Sequence, residues 1–377
     1  MNPAQVWILL EGVDMTIVLN DDDVAKVLPM RDCIEALEEA FRDLAKGAAV
    51  NAPRRDSFMG TSRADHYYSF KTIEGGLERL GVVAQRINSD LIHYPVVNGV
   101  PHRVKVPAAP GGRYVGLIYL YSSETLELLA IMTDGYLQKM RVAGTTGVGA
   151  KYLAREDAEV VGLLGSGGQA ETAAWALAAV RPIRCIQVFS PTRDHREAFS
   201  RKVASTLGID VIPKENEEKA VEGADIIAVA TDSHGPVVKG RWVEKGQHLT
   251  GILPSDFDEE AWQKSDFIIT SGPMGEKGFT TLRTKNEKLN SVFSPKDYNK
   301  TEGERSDRYS DKIYFLSDML LNKAPRRTAA HQVTLMNKNW GLGIEFASVG
   351  KLVYDRARAA SIGRELPTEW FSQTSRP

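Results

Sequence analysis

The chain has 377 residues, of which 42% are apolar and 25% are charged, and its formal net charge is −2. These values are typical of a soluble globular protein long enough for two domains, and the small net charge argues against a general nucleic-acid or membrane-surface binder. No apolar stretch approaches the ~20 residues that a transmembrane helix needs. We therefore expect small molecules as partners, with no nucleic acid and no membrane.

The first residues and the cysteines bear on the cellular compartment. Met1 to Asp14 lack the basic lead and cleavage site of a signal peptide, so we expect a cytoplasmic location and a loosely attached extension. Cys33 and Cys185 fall in a predicted helix and a predicted buried strand, where a free thiol behaves as a small apolar residue. The seven histidines show no metal-ligand spacing, so no metal site is predicted.

The first 130 or so residues are predicted to form a helix on a mostly antiparallel sheet. The helix is indicated by apolar residues at helical spacing: Cys33, Ile34, Leu37, Phe41 and Leu44. An aromatic strand from His66 to Thr72 places Lys71 on the same face as Tyr67 and Ser69. Residues 75–112 show little periodicity and predict irregular strands and loops, followed by a hairpin over 114–132.

A helix is predicted from Tyr136 to Leu153, with Arg141 near its beginning, and strands then alternate with helices from Glu159 onward. Such alternation specifies a parallel sheet with helices on both faces. A polar segment from Thr280 to Asp311 predicts a surface excursion, and Tyr314 to Leu321 predicts a helix. The fold class is therefore α/β, a Rossmann-type doubly wound sheet over residues 141–340, with a second α+β domain formed by residues 1–140 and 341–377.

The clearest functional signal is a glycine turn between an apolar strand, Val160 to Leu164, and an alanine-rich helix. Its candidate cofactor-binding residues are Gly165, Gly167, Gly168, Gln169 and Ala170. A dinucleotide needs such a turn because its pyrophosphate must approach the backbone and the unpaired N–H groups at the helix start. A second strand, Cys185 to Phe189, follows at the expected distance of about 20 residues.

The end of that second strand bears on cofactor choice. An acidic residue there would bind the ribose hydroxyls of NAD, whereas this chain has Ser190, Thr192 and Arg193. An arginine with two hydroxyls suits the additional 2′-phosphate, so NADP (NADPH) is favoured over NAD.

Several separate stretches together resemble the ornithine cyclodeaminase and mu-crystallin family, over nearly the whole chain from Met15. They are Pro53-Arg54, the aromatic strand ending at Lys71, Met140 to Thr146 leading into Ala150 to Ala154, the glycine turn, Ala230 to Ser233, and Gly350 to Tyr354. The resemblance implies a two-domain NAD(P)-dependent protein, a dimer through its substrate domain, that acts on amino acids or their imines. Further candidate cofactor-binding residues within these stretches are Thr145, Thr231 and Ser233.

The resemblance also implies that Arg54, Lys71 and Arg141 gather around the substrate carboxylate and the reacting carbon. Arginine suits this role because its planar fork donates two parallel hydrogen bonds to a carboxylate. Lys71 beside two arginines would have its ammonium form disfavoured, which favours proton exchange with an imine nitrogen. The alternative is a lysine that serves only as a third cation for the carboxylate.

One departure from the family pattern bears on the reaction. Ornithine cyclodeaminases have an aspartate after the fifth strand that handles the distal amine, and Ser255 aligns with it here. Asp256 or Asp258 remains open as a shifted replacement. We therefore expect an NAD(P)H-dependent imine reductase or amino-acid dehydrogenase, with a cyclodeaminase that releases ammonia and a non-catalytic NADPH-binding protein of the mu-crystallin kind as alternatives.

Overall fold

The computed structural model describes residues 15–63, 65–93, 95–97, 100–101, 104–233, 235–272, 278–281, 304–337 and 341–374. The predicted extension from Met1 to Asp14 and residues 282–303 of the predicted surface excursion lie outside these ranges. Within them, no helix is both long enough and apolar enough to cross a membrane.

The strands of the described residues are β1 Met15–Leu19, β2 Ala49–Asn51, β3 Arg55–Gly60, β4 Tyr67–Leu77, β5 Val82–His93, β6 Val96–Val97, β7 Val100–Pro101, β8 Val104–Val106, β9 Val115–Ser122, β10 Leu128–Thr133, β11 Val160–Leu164, β12 Cys185–Phe189, β13 Asp210–Pro213, β14 Ile226–Val229, β15 His248–Gly251, β16 Phe267–Thr270, β17 Gly278–Thr281, β18 Ile313–Phe315, β19 Thr334–Asn337 and β20 Arg364–Pro367. The α-helices are α1 Asp21–Val27, α2 Met30–Ala45, α3 Gly135–Leu153, α4 Gly168–Val180, α5 Arg193–Leu207, α6 Glu217–Val221, α7 Glu259–Lys264, α8 Leu316–Leu320 and α9 Gly343–Ala359.

Ten strands form the first sheet, in the order β17-β3-β4-β5-β9-β10-β1-β20, with β2 paired to β4 and β8 to β5. It is mostly antiparallel, as predicted, because β1 with β10 and β3 with β17 are its two parallel pairs. Helices α2 and α9 cover one end of its inner face and bury the apolar residues of β4, β5 and β9. The predicted helix that includes Cys33 is confirmed, and Gly47 follows its end with a φ of 74°.

The prediction of irregular strands and loops over residues 75–112 is wrong for residues 82–93, which form one long strand, whereas the described residues from 95 to 112 form short strands and loops. Strand β5 runs for twelve residues, and it pairs with β4 from Val82 to Ile92 and with β9 from Val82 to Ser89. Its inward positions include Arg86, Asn88 and Asp90, which are buried, while Ile87 and Leu91 on the other face are half-buried. Because polar side chains occupy the buried face, the usual apolar-in alternation that identifies a strand is reversed.

Eight parallel strands form the second sheet, in the order β13-β12-β11-β14-β15-β19-β16-β18. Its first five positions have the 3-2-1-4-5 order of a dinucleotide-binding fold. Separate apolar clusters cover its two faces, which confirms the predicted doubly wound α/β class. The helix predicted from Tyr314 is shorter than expected, because Ile313–Phe315 extends the sheet as β18 before α8 begins.

Helix α3 lies between the two sheets and packs on both α2 and α4. The predicted boundary between residues 140 and 141 falls within this helix, and β17 from the second predicted domain pairs with β3 of the first sheet. The division into residues 1–140 with 341–377 and residues 141–340 stays a prediction.

Two backbones touch where α9 begins. The Cβ of any residue larger than glycine at position 343 would overlap the backbone of Glu74 and Gly75, and Asn51 Oδ1 accepts a 2.7 Å hydrogen bond from the Gly343 N–H. In the same helix, a Cβ at Gly350 would lie 3.7 Å from Leu120, an ordinary contact.

We predict that Gly343→Ala destabilises the protein by about 1 to 3 kcal/mol, since the added methyl group forces the two backbones apart. The matched variant Gly350→Ala should be neutral or stabilise by up to about 1 kcal/mol, because alanine has the higher helix propensity. Urea unfolding measures both changes. Equal effects of the two variants would contradict the close backbone approach.

Candidate active site

A row of polar residues crosses the inner face of the first sheet beyond the end that α2 and α9 cover. Asp56 on β3, Lys71 on β4 and Asn88 on β5 lie directly opposite one another in register, and Gly116 on β9 continues the row. A Cβ at Gly116 would overlap both Asn88 and the Asp134 carboxylate. The row therefore requires glycine at that position.

Each of the three cations predicted from the sequence contacts a carboxylate. Arg54 donates two parallel hydrogen bonds to Asp56, from Nε at 2.7 Å and from Nη2 at 2.8 Å. Lys71 Nζ lies 3.2 Å from Asp90 Oδ2, and the second oxygen of Asp90 is 2.9 Å from Lys105 Nζ.

The Asp90 contact changes the electrostatic picture of Lys71. Two neighbouring arginines were expected to disfavour its ammonium form. A carboxylate in direct contact favours that form instead. In the structure Lys71 Nζ donates a hydrogen bond to this carboxylate, which opposes the expected effect of the arginines.

Arg141 lies in the second turn of α3, and its guanidinium is buried. Its Nη1 donates a 2.9 Å hydrogen bond to Glu345 Oε2, and its Nε and Nη2 both donate to Gln138 Oε1. Burial lowers the pKa of Arg141, Glu345 opposes that shift, and the nearby positive charges of Arg86 and Arg54 act with burial. Arg54 and Arg141 are thus close enough to interact electrostatically.

Arg86 is a fourth cation that the sequence interpretation missed. Its Nη2 lies 2.6 Å from Asp134 Oδ2, which also accepts from Asn88. Burial lowers the pKa of Arg86, while Asp134 opposes the shift. The Phe346 ring lies 5.5 Å from Arg86 Cζ and 5.0 Å from Arg141 Cζ, so one aromatic side chain contacts both guanidinium groups.

The glycine turn is closely packed at Gly165 and open at Gly167. Gly165 has a φ of +117°, and a Cβ there would overlap the carbonyl of Ala230. A Cβ at Gly167 would meet nothing within 4 Å, so open space lies in front of this residue. Gly167 precedes α4 without a side-chain cap, which leaves the helix N-terminus suited to an anion, and Ala170 is fully buried against the sheet.

Lys139 is a second residue that no sequence motif indicated. A Cβ at Gly168, the first residue of α4, would lie 3.0 Å from Lys139 Cδ. Its ammonium is 5.3 Å from the centre of the Tyr136 ring. A cation therefore lies beside the same helix N-terminus, where it would attract a phosphate.

The residues predicted to determine the preference for NADP over NAD follow the end of β12. Ser166 Oγ in the glycine turn donates a 2.9 Å hydrogen bond to Ser190 Oγ. Thr192 is the N-cap of α5, and Arg193 begins this helix with its side chain 77% exposed and paired with Glu197. Arg196, which was not predicted, donates to the Ser190 carbonyl.

The remaining cofactor candidates differ in their surroundings. Thr231 and Ser233 follow β14 beside the glycine turn, and the Ser233 N–H donates to Thr231 Oγ1. Thr145 is instead buried against Glu345, with its hydroxyl 2.6 Å from Glu345 Oε1. The next residue, Thr146, lines a water-sized cavity with Gln169 and Thr250. Within the described part of the chain, Gln169 Oε1 and Thr250 Oγ1 are buried there without a hydrogen-bond partner.

Asp256 and Asp258 were left open as replacements for the cyclodeaminase aspartate. Both accept hydrogen bonds from nearby backbone N–H groups. Asp256 is buried, and its Oδ2 accepts hydrogen bonds from the N–H groups of Ile252 and Leu253. Asp258 caps α7 by accepting from Ala261 and also accepts from Gly240. Neither carboxylate lines a cavity that Arg54 forms with Ser271, Phe315 and Leu342. No group of three or more metal-ligand residues occurs among the described residues.

Residues 14–361 match the Ornithine cyclodeaminase/mu-crystallin family. The chain belongs to this family. Its relatives include an alanine dehydrogenase of Archaeoglobus fulgidus, 26% identical over 93% of this chain and 98% of the relative. A Delta(1)-pyrroline-2-carboxylate reductase of Bacillus cereus is 24% identical over 93% of this chain and 99% of the relative.

Among solved structures, the fold of this family member is similar to the Delta(1)-pyrroline-2-carboxylate reductase of Thermococcus litoralis in complex with NADH and L-proline. That similarity has a TM-score of 0.73 and 24% identity, and it covers 93% of this chain and 100% of the other. The shared fold extends over both sheets rather than the second sheet alone.

We predict that Glu345→Ala lowers the free energy of unfolding by about 3 to 5 kcal/mol, because it leaves the buried Arg141 without its carboxylate. Glu365→Ala is the control, since Glu365 pairs with Arg358 at the surface and its loss should cost less than about 1 kcal/mol. Urea unfolding measures both. A loss at Glu345 no larger than at Glu365 would show that Arg141 does not depend on this partner.

Proposed function

We propose that the protein is an NAD(P)H-dependent oxidoreductase that acts on the C–N bond of an imino acid or amino acid. The observation that carries the proposal is the polar cluster formed by Arg54, Lys71, Arg86, Lys105 and Arg141 with Asp56, Asp90, Asp134 and Glu345. In this cluster five cations lie within ion-pair distance of four carboxylates. Its arginines would bind the carboxylate of a substrate.

Arg54 and Arg141 are proposed to bind the substrate carboxylate. A guanidinium has five N–H donors, and the contacts of Arg141 with Gln138 and Glu345 use three of them. These contacts hold the guanidinium in one orientation, so little side-chain entropy remains to be lost on binding. A fixed carboxylate would in turn fix the α-carbon and make hydride transfer a step between positioned atoms.

Lys71 is proposed as the proton donor to the imine nitrogen. Its Nζ lies on the same sheet face as Asp56 and donates a hydrogen bond to Asp90. The nicotinamide, when bound, supplies the hydride. The names of the relatives support this reaction class, because an alanine dehydrogenase and a pyrroline-2-carboxylate reductase are both described for the family.

The glycine turn, the uncapped start of α4 and Lys139 fit the pyrophosphate of such a cofactor. The buried Gln169 Oε1 and Thr250 Oγ1 provide polar atoms at the carboxyl edge of the same sheet. In α/β sheets this edge is where dinucleotides bind.

The proposal is tested with NADPH or NADH and a panel of imines that includes 1-pyrroline-2-carboxylate, 1-piperideine-2-carboxylate and pyruvate with methylamine. Oxidation of the reduced nicotinamide with at least one imine is expected. Ornithine consumed with release of ammonia and no net nicotinamide oxidation would identify a cyclodeaminase instead. Tight NADPH binding without turnover of any imine would identify a non-catalytic binding protein.

We predict that Lys71→Met lowers kcat for imine reduction by about 100-fold or more, since a positioned general acid contributes at least that much. Lys105→Met is the matched control, because both lysines contact Asp90 but Lys105 is the more exposed. Its effect should be less than about tenfold. Similar losses in the two variants would assign the effect to Asp90 pairing rather than to proton donation.

NADP is proposed over NAD because no carboxylate occupies the end of β12, where Ser190, Thr192 and Arg193 stand. Arg193→Ala should raise the KM for NADPH by about tenfold or more and change the KM for NADH little, since a charge-assisted hydrogen bond to phosphate is lost. Arg201→Ala, exposed further along α5, is the control. Equal effects of Arg193→Ala on both cofactors would defeat the assignment.

A homodimer formed through the first sheet is also proposed. Val83 and Tyr121 lie opposite each other on the outer faces of β5 and β9 and are 42% and 38% exposed. Leu126, Trp370 and Phe371 are further exposed apolar residues of this part of the chain. An apolar surface of this kind favours association. The cytoplasmic location expected from the sequence stays a prediction.

A further inference from the structure

A cavity of about 280 Å³ lies beside Arg54, between the two sheets. Residues 51–54, which connect β2 to β3, form one wall, and Ser271 and Gly272 at the carboxyl end of β16 form another. Phe315 and Ser317, at the junction of β18 and α8, and the Gly341-Leu342 backbone complete it. The cavity therefore opens at the carboxyl edge of the second sheet, on the side away from the glycine turn.

Gly341 connects this cavity to the second proposed carboxylate ligand. A Cβ at Gly341 would lie 2.6 Å from both Nη1 and Nη2 of Arg141, so the guanidinium lies flat against this glycine. The Leu342 N–H donates to the same Glu345 oxygen that binds Arg141. A substrate whose carboxylate is held by Arg54 and Arg141 would accordingly have this cavity within reach of its side chain.

The walls are mostly apolar. Leu44, Pro53, Phe315 and Leu342 supply apolar surface, while Asn51, Ser271 and Ser317 are its uncharged polar residues. Arg54 is the one charged residue among the described residues that line it. The Asn51 amide oxygen already accepts a hydrogen bond from the Gly343 N–H.

A substrate side chain that ends in an ammonium group would bind unfavourably in such a cavity. It would leave water, and none of the described residues that line the cavity would offer it a carboxylate, which is unfavourable. Asp256 and Asp258, the nearest candidates by sequence for such a partner, are held by backbone N–H groups elsewhere. An alkyl side chain would instead bury its surface against Leu44, Phe315 and Leu342.

We propose that this cavity receives the substrate side chain and selects uncharged, mainly apolar side chains over those that end in an ammonium group. The inference rests on the proposed function, because it needs Arg54 and Arg141 to hold the α-carboxylate. It names the substrate class of that site as imino or amino acids with an alkyl or aryl side chain.

The test compares amino acids that differ by one group. L-Norvaline and L-ornithine share a three-carbon side chain and differ by the terminal ammonium, as L-norleucine and L-lysine do for four carbons. Calorimetric titration of the protein saturated with NADP⁺ or NAD⁺ gives the Kd of each, with L-alanine and L-aspartate as further ligands. We expect norvaline to bind ~10-fold or more tightly than either ornithine or alanine.

A designed carboxylate should reverse the selection. Ser317 occupies the first turn of α8, where an acidic residue is compatible with the helix dipole, so Ser317→Asp places a carboxylate in the cavity wall. This variant should increase the affinity for ornithine relative to that for norvaline by ~10-fold. Ser205→Asp, at an exposed position of α5, is the matched control and should leave that ratio as in the unmodified protein.

The outcomes separate the inference from the function beneath it. Imine reduction together with norvaline preferred over ornithine supports both. Imine reduction with ornithine or aspartate bound as tightly as norvaline overturns the inference and leaves the function standing. No turnover of any imine and no binding of any of these amino acids overturns the proposed function and the inference with it. If Ser317→Asp does not fold, the ligand pairs in the unmodified protein still decide.

Discussion

A buried positive charge must have a negative partner, and this requirement governs the region between the two sheets. Removing a guanidinium from water costs several kcal/mol unless a carboxylate and further hydrogen bonds compensate it. Arg141, Arg86 and Lys71 are all buried, and each contacts a carboxylate from another part of the chain: Glu345, Asp134 and Asp90. Arg141 on α3 is thereby connected to the start of α9, and Arg86 on β5 to the residue that precedes α3. The same pairs that make the site possible also fix how these helices lie against the first sheet.

Because of this requirement, the inner face of the first sheet changes from apolar to polar residues along the length of its strands. Toward one end, the inward residues of β4, β5 and β9 are apolar and pack under α2 and α9. Toward the other, the inward residues become Lys71, Asn88 and Asp90, and small residues such as Gly116 make room for them. Phe346 lies at the boundary between the apolar and the polar part of this face. It belongs to the apolar core and also contacts two guanidinium groups. An aromatic ring suits this position because its face attracts a cation while its edge packs with alkyl groups.

The parts of the fold that follow from short-range pattern were predictable. The strand, glycine turn and helix around Gly165 have a fixed spacing, and α2 has a clear apolar face. Strand β5 was missed because its buried residues are polar. The partner of Arg141 was missed because Glu345 lies 204 residues away, and no local pattern connects them. Thr145, the cofactor candidate, contacts Glu345, and its neighbour Thr146 lies beside Gln169, since successive helix residues point about 100° apart.

The apolar cavity beside the cluster bears on which side chain a substrate can have. The described cations of the cluster already contact carboxylates, so the α-carboxylate and α-nitrogen of a bound substrate would lie among ion pairs that exist before it binds. A further charge on the side chain would leave water for a wall whose described residues are mostly apolar, which is unfavourable. The proposed selection of uncharged side chains therefore depends on where the buried ion pairs end and the apolar wall begins.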